Sequence, residues 1–202
     1  METATTREGD RRRQLAEAAT DHVLEHGLIG LSLRPLAAAL GTSDRMLLYH
    51  FSGKDDLVAT VLHTSNERSV ELVRSLPVAA SVRDAVVALW AASTQGQLER
   101  CQRLYVEAAA LGLFGQEPYV SVVGESNRAW LRAVADLLVA AGCPPGLAPR
   151  AANLIDAAMM GLQLDLPLDR GTAALDRSVA DLADAVAAIA ATGAVAEGQG
   201  SR

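Results

Sequence analysis

The chain has 202 residues, 50% of them hydrophobic, with aromatics at 3% and a formal net charge of -6. That length accommodates one large domain or a small domain fused to a medium one, and the alanine- and leucine-rich, aromatic-poor composition favours an all-α fold. The acidic balance excludes a broad basic coat for nucleic acid, and no apolar run approaches the ~18 to 20 residues of a membrane span.

A first helix is expected from about Asp10 to His26, with Leu15, Ala19 and Val23 as its apolar stripe and Gly27 as its left-handed stop. Ser32 then caps a short second helix whose Leu33, Leu36, Ala37 and Leu40 fall at i, i+3, i+4 and i+7, with Pro35 confined to its first turn. Gly41 ends that helix, and Ser43 caps a third that runs to Phe51. A long fourth helix starts near Lys54, with Asp55 and Asp56 in its positive first turn, and runs toward Pro77. Ser81 opens a fifth helix to about Gln97, and a sixth spans about Leu98 to Phe114. A seventh reaches Ala141, an eighth runs from Pro149 to Leu166, and a break over 167–171 precedes a ninth from Thr172 to about Thr192. The tail from residue 193 is expected to be disordered. Residues 1–54, 55–192 and 193–202 are the expected divisions.

Two short helices joined by a glycine turn and braced by a third form a helix-turn-helix, whose second short helix is shaped for the major groove of DNA. Leu47 and Phe51 face inward on that helix, which leaves Asp44, Arg45, Met46 and Tyr49 outward. Residues 31–54 hold three cations, Arg34, Arg45 and Lys54, against the single acid Asp44, and Arg11, Arg12 and Arg13 add a short basic arm upstream. Lys54 is the only lysine in a chain otherwise supplied with arginine. An ammonium at a helix N-terminus suits a phosphate.

In order, Ala18-Ala19, Gly27, Ser32, Leu36-Ala37, Gly41, Ser43, Leu47, Tyr49-His50-Phe51, Lys54-Asp55 and Leu57 resemble the DNA-binding domain of the tetracycline-repressor (TetR) family across residues 11–62. The resemblance implies a dimeric repressor, released from a palindromic double-stranded operator by a small-molecule effector. It implies operator contacts at Arg34, Ser43, Asp44, Arg45 and Met46, with Thr42, Tyr49 and His50 beside them, and a phosphate contact at Lys54. Two positions depart from the family pattern. Leu48 stands where a phosphate-binding tyrosine is usual, with Tyr49 one position on, and Arg45 stands where glycine is frequent. An arginine there has the geometry to read guanine bidentately.

The resemblance also implies an effector site among helices five to eight, for which Trp90, Tyr105, Phe114, Asn127, Trp130, Met159 and Gln163 are the candidates. Helix nine carries a heptad-like seam of Leu175, Val179, Leu182 and Val186, which with Ile155 and Leu162 of helix eight is expected at a homodimer interface. His22 and His26 lie four apart without a third ligand, and Cys101 and Cys143 lack metal or redox spacing, so no metal and no cofactor is expected. No nucleophile–base pair or phosphate loop appears, so no enzyme is expected, and the location implied is cytoplasmic. The competing reading is an all-α small-molecule-binding or protein-interaction domain that does not touch DNA.

Overall fold

The computed structural model describes the backbone of residues 2–165 and 173–199, with side chains for 8–165 and 173–192. The described residues form helices only: α1 (Glu2–His26), α2 (Leu33–Ala39), α3 (Asp44–His50), α4 (Lys54–Arg74), α5 (Val82–Ser93), α6 (Gly96–Leu113), α7 (Tyr119–Ala140), α8 (Ala148–Asp165) and α9 (Ala173–Gln199). The expected all-α order is therefore present. α5 stops four residues before the expected Gln97, because Thr94 closes it and Gly96, at φ +64°, turns the chain into α6. α9 continues as helix past Thr192, and the break expected at 167–171 lies outside the described residues.

The chain divides into two compact units, Met1–Arg68 with Arg100–Ser126, and Ser69–Glu99 with Asn127–Arg202. In the first, α1 contributes Leu15, Ala19 and Val23 to a core completed by Leu36 and Ala37 of α2, Leu47 of α3, Phe51, and Leu57 and Val61 of α4. Cys101, Leu104 and Ala108 of α6 close the same core. Each fully buried leucine in it contributes about 1.5–3 kcal/mol by leaving water, so the short α2 and α3 are held by packing more than by their own helical propensity. Thr20 is fully buried and donates its hydroxyl to the Ala16 carbonyl at 2.8 Å, so its polar atom is satisfied within α1.

Arg68 ties α4 to α1. Its guanidinium pairs with Asp21 at 2.6 Å and with Glu17. Partial burial opposes the charged form, but hydrogen bonds to the two carboxylates outweigh it and raise the pKa above the ordinary arginine value.

The second unit is built on Val82, Ala85, Val86 and Leu89 of α5, Trp130, Val134 and Leu138 of α7, Ile155 and Met159 of α8, and Leu182, Ala183 and Val186 of α9. α9 packs against α5 and α8, and Arg83 donates to Asp184 at 2.6 Å across α5 and α9. The heptad seam of α9 is thus turned into the chain's own core. Ile155 and Val186 are fully buried there, Val179 and Leu182 nearly so, and only Leu162 and Leu175 keep part of their surface. The physical reason is that a heptad stripe specifies a buried face without specifying what buries it, and here α5 does.

Arg68→Ala should lower the melting temperature by about 2–4 °C, as expected for the loss of roughly 1 kcal/mol from a protein of this size. Arg74→Ala, at an exposed position near the end of the same helix, should leave it unchanged in the same thermal scan.

Candidate nucleic-acid interface

The α2–α3 connection is specified locally. Pro35 sits in the first turn of α2, where its missing N–H has no carbonyl to serve. At the other end, Gly41 takes φ +64°, its N–H bonds to the Ala38 carbonyl at 3.1 Å, and the Thr42 N–H bonds to the Ala37 carbonyl at 2.9 Å. That pair of bonds is a Schellman stop, and its left-handed residue favours glycine. One residue later the Ser43 hydroxyl accepts the Met46 N–H at 3.2 Å and caps α3. Ser32 behaves differently from the expectation: its backbone is extended as a cap requires, but its side chain makes no capping bond.

Leu36, Ala37, Leu47 and Phe51 are buried, which leaves Arg34, Ser43, Asp44, Arg45, Met46, Tyr49 and Lys54 exposed, with Thr42 and His50 half-buried. Among the described residues, Arg34, Arg45 and Lys54 form no ion pair. Asp44 turns its carboxylate back onto the Arg45 N–H at 2.9 Å. It occupies the positive end of α3 without neutralising the arginine side chain.

The upstream arm divides by role. Arg13 pairs with Asp10 at 2.8 Å, and Arg11 reaches only Gln14 at 3.5 Å. Arg12 turns inward: Nε donates to the His50 carbonyl at 3.0 Å, Nη2 donates to Asp56 at 3.2 Å, and the guanidinium lies 4.9 Å from the Phe51 ring centre. Asp56 also accepts the Ser52 N–H at 2.9 Å. One arginine therefore joins α1, the end of α3 and the start of α4. Sequence reading missed this role, since three adjacent arginines look alike until the fold separates them.

Leu48 is 47% exposed and Tyr49 67%. The Glu8 carboxylate, hydrogen-bonded to the Tyr49 phenol, raises its pKa, and the ring sits edge-on to His50 at 5.1 Å. Tyr49 thus presents its hydroxyl at the surface but beside a carboxylate. His22 and His26 stack at 4.1 Å, and partial burial, then the charge of His26, lowers the His22 pKa. No group of three metal-ligating side chains occurs among the described residues.

The candidate effector residues do not all fall in one unit. Trp130 and Met159 are buried in the second unit's core, with Trp90 packed on it, and Asn127 and Gln163 are half-buried there. Tyr105 is half-buried in the first unit, and Phe114, also in that unit, is 80% exposed. Asp156 was not anticipated. Burial raises its carboxyl pKa, while a hydrogen bond from Trp130 works in the opposite direction. Nearby in sequence terms only a polar residue on the inner side of α8, among alanines and methionines, hinted at it. Ser93 Oγ and Asn127 Oδ1 are buried without a hydrogen-bond partner among the described residues.

The family model for bacterial regulatory proteins of the tetR family matches residues 15–61. The HTH-type transcriptional regulator PksA of Bacillus subtilis (strain 168) is 34% identical over 68 residues, which are 34% of this chain. That match spans about a third of the relative's own length, 33%. Among solved structures, a transcriptional regulator from Rhodococcus sp. Rha1 superposes with a TM-score of 0.69 at 22% identity, over 87% of this chain and 95% of that one. The multidrug binding protein EbrR complexed with ethidium gives 0.62 at 23% identity, over 85% and 96%. A Saccharomonospora viridis regulator in complex with choline gives 0.62 at 18% identity, over 87% and 95%. These structures share the fold of this chain.

Asp156 supplies a pH signature. Its folded pKa lies above the unfolded one, so the stabilisation by its proton is complete below the unfolded value and is lost as pH rises through the folded value. At neutral pH the wild type carries the cost of a half-buried carboxylate that Asp156→Asn removes. The variant should melt higher than wild type at about pH 7, and the difference should vanish near about pH 3, below the ordinary aspartate value.

Proposed function

Through residues 15–61 the chain belongs to the tetR family of bacterial regulatory proteins, and on that footing we propose that it is a sequence-specific, DNA-binding repressor released from its operator by a small molecule. The observation that carries the reading is the outer face of α2, α3 and the start of α4. Three cations that form no ion pair among the described residues, Arg34, Arg45 and Lys54, stand on it above a packed apolar core. In this reading residues 1–54 read the DNA, and residues 55–192 serve the effector and the dimer, with 193–202 a tail. Arg45 reads a base edge, with Arg34, Thr42, Ser43, Asp44, Met46, Tyr49 and His50 around it, and Lys54 holds a phosphate. Acting on operator DNA, the protein works in the cytoplasm as a regulator and not as an enzyme.

The effector reading is supported by the second unit, where Trp130 and Met159 share one core, Trp130 is hydrogen-bonded to the half-buried Asp156, and Asn127 and Gln163 are half-buried in the same unit. Apolar side chains beside a few polar atoms, of which Asn127 Oδ1 has no hydrogen-bond partner among the described residues, suit a small organic molecule that supplies hydrogen bonds. Release requires the effector to favour the DNA-free state, and reversing a 99:1 preference takes about 5.5 kcal/mol of differential affinity.

A palindrome needs two reading heads about 34–36 Å apart, hence a homodimer. Since Ile155, Val179, Leu182 and Val186 are buried within the chain, the pairing face is supported instead by what α8 and α9 turn outward. Leu154, Ala157, Gly161 and Leu164 follow one another at 3, 4 and 3 residues on α8, all exposed, and Ala174, Ser178, Ala185 and Ala188, at 4, 7 and 3 residues on α9, are exposed as well. A Cβ added at Gly161 would meet open space within the chain, so a larger residue there is harmless to the monomer and obstructive to a partner. Gly161→Glu should shift the protein from dimer to monomer in light scattering while keeping its helical circular dichroism.

Selection from random duplexes should recover a palindromic site; enrichment of no sequence would sink the DNA reading. Arg45→Ala should change the base preference at one position of each half-site, by about 1–3 kcal/mol. Lys54→Ala should weaken binding to all duplexes alike and reduce the salt slope by about 1.

A further inference from the structure

The end of α1 leaves polar backbone groups that the helix cannot satisfy, and α6 supplies partners for both signs. At the negative end of α1, Arg103 Nη2 donates to the Leu24 carbonyl at 3.0 Å. Just beyond the helix, Glu107 Oε2 accepts the N–H of Leu28 at 2.7 Å and that of Ile29 at 2.9 Å. Gly27 between them takes φ +90°, and a Cβ there would lie 3.3 Å from Glu107 Oε1, so glycine permits the carboxylate its close approach. Arg103 and Glu107 are one turn apart on α6, and Leu104 between them is buried in the same core as Leu28. All of these residues belong to the first compact unit.

We propose that Glu107, assisted by Arg103, is a positioning residue for DNA recognition: it latches the α1–α2 turn and thereby sets where α2 and Arg34 meet the duplex. The turn from Gly27 to Ser32 is the only covalent path from α1 into α2. Its backbone is held at Leu28 and Ile29 by two charge-assisted bonds to a single carboxylate, with Leu28 as the apolar anchor beneath. Such bonds are short and directional, so a displacement of α6 along α1 loses both at once. The reading head then includes a segment of α6 that lies 79 residues from the turn it holds, outside the family match at residues 15–61.

This inference rests on the reading that the chain binds duplex DNA, and its test separates the two. The specific probe is the duplex recovered from random selection, and the control is a scrambled duplex of equal length and composition; both affinities are measured by fluorescence anisotropy. Loss of folded protein scales the two affinities equally, whereas a misplaced α2 lowers the specific one more. Glu107→Ala should therefore reduce the specific-to-nonspecific ratio about tenfold or more, the scale of losing hydrogen bonds to a charged group. Glu107→Gln keeps an acceptor oxygen and should stay within about threefold of wild type. An unchanged ratio in folded Glu107→Ala overturns the proposal. Should that variant not fold, Glu107→Asp, one methylene shorter, takes its place. It should speed amide exchange at Leu28 and Ile29 and lower the ratio, and an unchanged ratio overturns the proposal equally. A wild type that prefers no duplex overturns the DNA reading itself, before any variant is compared.

Discussion

The position of α3 depends on Arg12. A seven-residue helix is too short to be stable alone, and its C-terminal carbonyls must be satisfied from outside. Arg12 does this from α1, donating to the His50 carbonyl while it engages Asp56 and lies against Phe51. Asp56 passes the constraint on by accepting the Ser52 N–H, which secures the three-residue break before α4. The Arg12 side chain is 43% exposed, so its worth as an ion pair is modest. Its geometric consequence is larger, because the exit of α3 and the entry of α4 share one carboxylate and one guanidinium. Lys54, the first residue of α4, inherits its place from that arrangement.

What the sequence made legible is what is decided locally. Pro35 in the first turn, Gly41 at the left-handed stop and Ser43 at the cap each act within a few residues, and the α2–α3 unit follows from them nearly as expected. Leu36, Leu47 and Phe51 were legible as core for the same reason, since helical spacing alone puts them on one face. Features that depend on distant partners were opaque. Nothing near Leu28 signals that a glutamate 79 residues away will take its N–H. Arg12 cannot be told from Arg11 and Arg13 until Asp56 and Phe51 are placed beside it. Nothing near Arg68 in the sequence signals its partners, and only the run of α4 beside α1, in the same direction as the Arg12–Asp56 pair shows, brings it to Asp21 and Glu17.

α9 shows where periodicity misleads. Leu175, Val179, Leu182 and Val186 repeat at coiled-coil spacing, but the same spacing serves any helix that buries one stripe. The stripe went to α5, and small residues such as Ala174, Ser178, Ala185 and Ala188 lie on the outer surface. Small outward side chains allow another helix to approach closely, which is why the proposed pairing rests on that outer surface and not on the heptad stripe.

The charge balance gains meaning once each cation is placed. With a net charge of -6 the chain has few cations to spare for phosphates. The fold uses Arg12, Arg68, Arg83 and Arg103 internally, against carboxylates or helix carbonyls. Among the described residues, Arg34, Arg45 and Lys54 form no ion pair on the face of α2, α3 and α4. Three free cations per reading head give only weak non-specific attraction at physiological salt. On the proposed reading, discrimination on that face rests on direct contacts, for which Arg45 has the bidentate geometry to meet a guanine edge and the exposed Met46 and Leu48 offer apolar surface to a thymine methyl group.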